Sequence, residues 1–117
     1  MTDIKFGDIY LANLVGDGHE QRGTRAVIIA QNNKGNQFSP TVEIIPLSAK
    51  VNKARHLPTH VYIKADSTNG LRMDSLALAE QTNTIDKTKL IHRIGSLCYE
   101  HLRAIGQARR IQSPFPV

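Results

Sequence analysis

The chain has 117 residues, enough for one domain around one core. Hydrophobic residues make up 40% of it but aromatics only 5%, with no Trp, so the core is aliphatic and small enough to leave room for a partner copy. The formal net charge of +5 favours an anionic partner (nucleic acid, an anionic membrane or an acidic protein segment), although solubility alone would also account for it; the single cysteine, Cys98, excludes an internal disulfide and any multi-cysteine metal site.

No stretch approaches the length of apolar chain that spans a membrane, and the first eight residues carry no apolar segment of a secretory signal, so a cytoplasmic location is expected. Gly7-Asp8 is a turn pair, and the alternation over Ile9–Leu14 predicts a first strand. Val15–Thr24 holds three Gly without apolar periodicity and reads as a binding loop or a lid. Ala26–Gln31 predicts a second strand, its apolar part buried on both faces, and Thr41–Leu47 a third, with Asn32–Pro40 as a polar connection. Pro46 cannot donate to a ladder and is expected at the end of its strand or on an edge. These two strands form an antiparallel hairpin in the simplest topology. A turn centred between Asn36 and Gln37 sets residue 25 opposite residue 48 and brings Arg25 beside Ser48.

Ser48–Pro58 is a second polar loop, basic through Lys50, Lys53, Arg55 and His56. Thr59–Lys64 alternates, with Val61 and Ile63 expected inward and His60, Tyr62 and Lys64 outward. Asn69-Gly70 marks a turn, and two short strands, Ser75–Ala79 and Thr82–Ile85, follow, separated by Glu80-Gln81. Asp86 can cap a helical turn at Lys87–Leu90; Leu90–Ile94 reads equally as a last strand or as a continuation of that helix. Ser96 is the expected N-cap of a final helix from Leu97 to about Gln112. Cys98, Leu102, Ile105 and Ala108 form its apolar stripe, which makes Cys98 a packed thiol. The sum is a single domain over 1–117, mainly β: six or so short strands in a small barrel-like sheet closed by a C-terminal helix.

Few constellations carry chemistry. His56 and His60 are four apart, but Pro58 between them forbids the helical geometry that would aim both at one ion; there is no His-Glu-x-x-His, and neither metal nor cofactor is expected. Gly16-Asp17-Gly18 lacks the remainder of either nucleotide-cradling motif. Glu20 and Glu80 could serve a glycosidase, but the basic surroundings do not favour it. An Arg just before a buried strand is ordinarily a surface cation. Arg25 differs in having a hydroxyl expected opposite and basic loops on both sides. Phosphodiester cleavage needs positive charge on the oxygens that gain charge in the transition state, which Arg supplies without metal; RNA brings its own nucleophile, the 2′-hydroxyl. An Arg-plus-hydroxyl site could therefore cut RNA but not DNA.

Several motifs occur in one order: Gly7-Asp8-Ile9-Tyr10, Gly18-His19-Glu20-Gln21-x-Gly23-Thr24-Arg25, Phe38-Ser39-Pro40-Thr41, Leu57-Pro58-Thr59-His60-Val61 and Glu80-Gln81-x-x-Thr84-Ile85-Asp86. Together with the strand at Val27–Gln31, they resemble the MazF/PemK family of toxins from type II toxin–antitoxin systems, from about residue 5 to residue 105. The resemblance implies an SH3-like small barrel (CcdB/PemK-like) with a C-terminal α-helix, a homodimer, and metal-independent, sequence-specific cleavage of single-stranded RNA to 2′,3′-cyclic phosphate and 5′-hydroxyl ends. It also implies a cognate antitoxin that binds through a disordered acidic C-terminal segment. The family's catalytic Arg falls on Arg25 and its catalytic Thr on Ser48; His19, Glu20, Gln21, Asn32, Lys50, His60, Glu80 and Gln81 are the implied RNA-binding or supporting residues. Two positions depart from the pattern: Ala26 stands where the family usually has Pro, and Ser48 where it has Thr. Ser keeps the hydroxyl but loses the methyl that restricts its rotamer. An Arg that another branch of the family uses is replaced by Leu78. The alternatives are a non-catalytic, gyrase-poisoning toxin of the related CcdB type and an unrelated basic protein that binds RNA and leaves it intact.

Overall fold

The computed structural model describes residues 3–14, 23–51 and 57–116. Seven strands and two α-helices follow in the order β1 (Asp8–Leu14), β2 (Gly23–Ile29), α1 (Asn33–Phe38), β3 (Thr41–Ser48), β4 (His60–Ile63), β5 (Ser75–Leu78), β6 (Asn83–Asp86), β7 (Leu90–Ser96) and α2 (Tyr99–Gln112). The strands make one antiparallel sheet in the order β4-β5-β3-β2-β1-β7, with β6 added to β3 beside β5. The expected mainly-β class and terminal helix are present. Closure is not: among the described residues the path ends at β4 on one side and β7 on the other, so the sheet curls without sealing into a barrel.

Both faces of the central strands are buried, as their near-continuous apolar runs require. Ile9, Ile28, Ile45, Val61 and Ile63 pack on one face with Ile105 and Ala108 of α2. On the other, Tyr10, Ala12, Val27, Ile29, Val42 and Ile44 form a second cluster, joined by Ile85 and Leu90. The β2–β3 register is the expected one, with Val27 opposite Pro46, Ile28 opposite Ile45 and Ile29 opposite Ile44. The connection is not plain loop, however: Asn32 caps the six-residue α1 by accepting from the Gly35 N–H at 2.8 Å. Pro46 sits in neither of its expected places. It lies inside a central strand, in the interval where β3 has left β6 at Ile44 and not yet met β5 at Leu47.

Further along, Asp86 caps a single 3-10 turn at Lys87–Lys89, as expected, and Leu90–Ser96 resolves as strand. Ser96 does not cap the last helix. It ends β7, its N–H going to the Thr68 carbonyl, and Cys98 takes the N-cap position without a side-chain bond. The Cys98 thiol is exposed rather than packed, because the stripe that meets the sheet begins at Leu102, a turn later.

The connection from β4 to β5 is built around buried Asn69. Its side-chain oxygen accepts from the N–H groups of Asp66 and Leu71, and its amide donates to the Lys64 carbonyl. Asp66 in turn accepts from the N–H groups of Thr68 and Asn69. Gly70 adopts φ +70° and presses on β7, where a Cβ would stand 1.9 Å from the Ile94 carbonyl oxygen. Asp74 fixes the other stem, accepting from the Ala65 N–H at 2.8 Å and the Tyr62 hydroxyl at 2.6 Å. Those bonds hold its carboxyl below the usual carboxylate range, the Tyr62 hydroxyl contributing most.

Candidate active site

Arg25 stands near the start of β2, opposite Ala12 of β1, with an exposed side chain and no ion-pair partner among the described residues. Ser48 ends β3, opposite Leu76 of β5. The β2–β3 ladder stops at Val27 and Pro46. Arg25 and Ser48 each lie two residues further, on the face those residues share, where the two strands part. Ser48 is 8% exposed, and its hydroxyl oxygen accepts from the Lys50 N–H at 3.3 Å. That bond leaves the hydroxyl proton free to be donated, while Lys50 itself projects into solvent.

Arg25 lines a cleft of about 420 Å³ whose floor includes Leu11, Ala26, Leu47 and Ile94. Its far wall is the β4–β5 connection, through Arg72 and Met73, and β7 adds His92. Arg72 and His92 are exposed and, like Arg25, have no carboxylate partner among the described residues. Neither was visible as a site residue in the sequence. Asn69-Gly70 announces a turn there, but the turn's docking on β7, Gly70 against Ile94, is a contact between residues 24 apart in the chain.

The other expected site residues are dispersed. His60, expected outward, has a side chain only 8% exposed: its Nε2 lies 2.9 Å from Glu80 Oε2, and its Nδ1 accepts from the Leu57 N–H at 3.2 Å. With Nδ1 accepting, the ring proton sits on Nε2 and is donated to Glu80. Thr59 donates to the other Glu80 oxygen at 2.9 Å, and the Ala79 N–H bonds the Thr59 carbonyl. This cluster stitches the end of the Ser48–Pro58 loop to the turn after β5. Glu80 opens onto a different cleft, shared with Glu43, Arg109 and Arg110, so it and His60 are not brought to Arg25. Gln81 lies half-buried in the same 3-10 turn as Glu80. Asn32 is at the opposite end of β2 from Arg25, its side-chain oxygen engaged in capping α1. His19, Glu20 and Gln21, with Lys53, Arg55 and His56, lie outside the described residues.

The family model described as "PemK-like, MazF-like toxin of type II toxin-antitoxin system" matches residues 5–112. The chain belongs to this family. Endoribonuclease EndoA of Bacillus subtilis (strain 168) is 42% identical to this PemK/MazF chain over 109 residues, 92% of each protein. Among solved structures, MazF from Deinococcus radiodurans superposes with a TM-score of 0.83 at 15% identity, covering 98% of this chain and 100% of that one. A mycobacterial endoribonuclease solved in complex with its cognate antitoxin gives 0.78 at 22% identity, covering 97% and 98%. At those identities the two structures establish that the fold of this PemK/MazF chain is that of MazF.

Proposed function

We propose that the chain is the toxin of a type II toxin–antitoxin pair and an endoribonuclease that cuts single-stranded RNA without metal. Family membership over residues 5–112 and the 42% identity to an endoribonuclease support the activity. The observation that carries the mechanism is an exposed guanidinium with no carboxylate partner among the described residues, two residues past the end of the β2–β3 ladder, with the Ser48 hydroxyl two residues past the same end on the facing strand.

In this reading Arg25 binds the scissile phosphate and stabilises the charge that grows on its non-bridging oxygens. The 2′-oxygen gives up its proton to solvent water as it bonds phosphorus, and the bond from phosphorus to the 5′-oxygen breaks. The 5′-oxygen takes a proton from solvent water, leaving 2′,3′-cyclic phosphate and 5′-hydroxyl ends. Ser48 donates a hydrogen bond from its hydroxyl to the phosphate, its own oxygen being oriented by the Lys50 N–H. DNA, lacking the 2′-hydroxyl, is not cut. Lys50 and the segments at residues 15–22 and 52–56 supply further RNA contacts, while His60 and Glu80 support by fixing the stem of the second segment. The protein acts as a homodimer and is silenced by an antitoxin whose acidic tail competes for the basic surface. The gyrase-poisoning alternative has no support from the family match or the solved relatives.

The test is cleavage of quenched RNA in EDTA by the parent and by Arg25→Ala. The parent should cut. The Ala variant should fold normally and lose about a hundred- to a thousandfold in rate, the usual cost of one such donor. A variant within threefold of the parent would remove Arg25 from the chemistry.

A further inference from the structure

We propose that Arg72, backed by His92, is a second phosphate-binding position that holds the RNA strand one nucleotide from the phosphate at Arg25. This rests on the ribonuclease reading above and adds to it a subsite and the residues that make it. Three observations carry it. First, Arg25, Arg72 and His92 line one cleft from three different elements, with no carboxylate paired to any of them among the described residues. The two guanidinium groups among them carry like charge and repel one another unless an anion lies between them.

Second, the Arg72 wall is preformed. The Asn69 and Asp66 hydrogen bonds, the Gly70 contact with the Ile94 carbonyl and the Asp74 bonds to Ala65 and Tyr62 pin the connection between β4 and β5 at both stems. A loop held this firmly loses little further entropy when its side chains bind, which suits a positioning element. Third, the cleft has the size and lining of a nucleotide site. At about 420 Å³ it falls in the lower part of the range of roughly 300–1,000 Å³ usual for small-ligand sites. Its apolar side carries Met73, 60% exposed, with Leu71 and Ala49. A base unstacked from a single strand can lie on that surface, or on the Arg72 guanidinium plane, while its two flanking phosphates reach Arg25 and Arg72.

The assay measures binding of a single-stranded RNA made uncleavable by a 2′-deoxy substitution at the cut site, and separately cleavage of the all-RNA strand, for the parent, Arg72→Met and Arg72→Lys. Arg72→Met should bind about tenfold more weakly, as loss of one charge-assisted contact implies. Its plot of log affinity against log salt should be flatter by about 0.7, the value of one phosphate contact on a single strand. Cleavage should show a raised KM with kcat within about twofold, and Arg72→Lys should recover most of the binding and the salt slope. His92→Gln should weaken binding in the same direction but less. Unfolding midpoints should not move, since Arg72 is exposed. Unchanged affinity and salt slope in Arg72→Met would overturn the subsite while parental cleavage leaves the nuclease reading standing. A kcat loss with unchanged KM would likewise overturn it, because Arg72 would then act on the reacting phosphate. A parent that binds the uncleavable strand but never cuts the all-RNA strand would overturn the nuclease reading alone, and a parent that does not bind RNA would overturn both.

Discussion

Gly70→Ala should be among the most damaging single-methyl changes this chain can suffer. Gly70 has φ +70°, where a side chain costs about 1 kcal/mol or more. The added Cβ would stand 1.9 Å from the Ile94 carbonyl oxygen and 2.8 Å from its carbon, and both atoms belong to the β7 backbone, which cannot swing aside as a side chain could. Restoring an ordinary carbon–oxygen separation of about 3.3 Å requires the loop to retreat by more than 1 Å. The bond from the Ser96 N–H to the Thr68 carbonyl, already 3.1 Å long, is lost in that retreat, at about 1 kcal/mol. Strain from overpacking adds about 1–3 kcal/mol. The total, about 3–5 kcal/mol, is a large part of the roughly 5–15 kcal/mol that holds a domain folded. Gly23→Ala is the matched control: its φ is +83° but nothing lies within 4 Å of the new Cβ, so only the conformational cost applies. Urea unfolding of both variants isolates the contact. A difference between them below about 1 kcal/mol would show that the loop does not bear on β7 as described.

Ser48→Thr should keep or raise cleavage, because the hydroxyl remains and the methyl narrows its rotamers, whereas Ser48→Ala should lower the rate and free the Lys50 N–H; an Ala variant as fast as the parent would remove the hydroxyl from the reaction. Tyr62→Phe tests the other stem of the Arg72 loop. The Asp74 carboxyl is held below its unfolded value by the Tyr62 hydroxyl and the Ala65 N–H, so its contribution to stability is complete above the unfolded value and disappears as pH falls through the lowered one. The Phe variant should therefore be less stable than the parent at neutral pH and converge with it in strong acid, as urea titrations at several pH values would reveal; a deficit that persists unchanged in strong acid would point to lost packing instead.

What could be read in the chain was local or followed from one pairing. Two apolar runs separated by a polar connection were enough to set the register of β2 on β3, with Val27 opposite Pro46, even though the connection holds a helix. Asp86 announced its turn through its own short-range bonds. Ser96 misled because a good capping residue was already committed to a strand, its N–H taken by Thr68. His60 fitted the outward half of an alternating strand, yet Glu80 and the Leu57 N–H bury it; no pattern in residues 59–64 encodes a partner twenty residues on. Arg72 and His92 escaped for the same reason. Their meeting depends on a turn landing on β7, and only the glycines at 70 and 95, each without room for a Cβ, mark that close approach.

Pro46 has a consequence for how the sheet avoids mispairing. Burial on both faces of β3 means that a slip of one residue would exchange one apolar surface for another, so the hydrophobic pattern specifies its alignment only weakly. Ala30 donates to the Glu43 carbonyl, so odd-numbered residues of β3 turn their backbone groups toward β2 and even-numbered ones toward the opposite edge. The missing donor of Pro46 thus faces the gap between β6 and β5, where no strand asks for it. Sliding β3 by one residue would aim that missing donor at β2 and leave one of its carbonyls unanswered inside the sheet. The imino acid acts as an alignment pin: it holds β3 in step with β2 by making the neighbouring registers worse rather than by improving the native one.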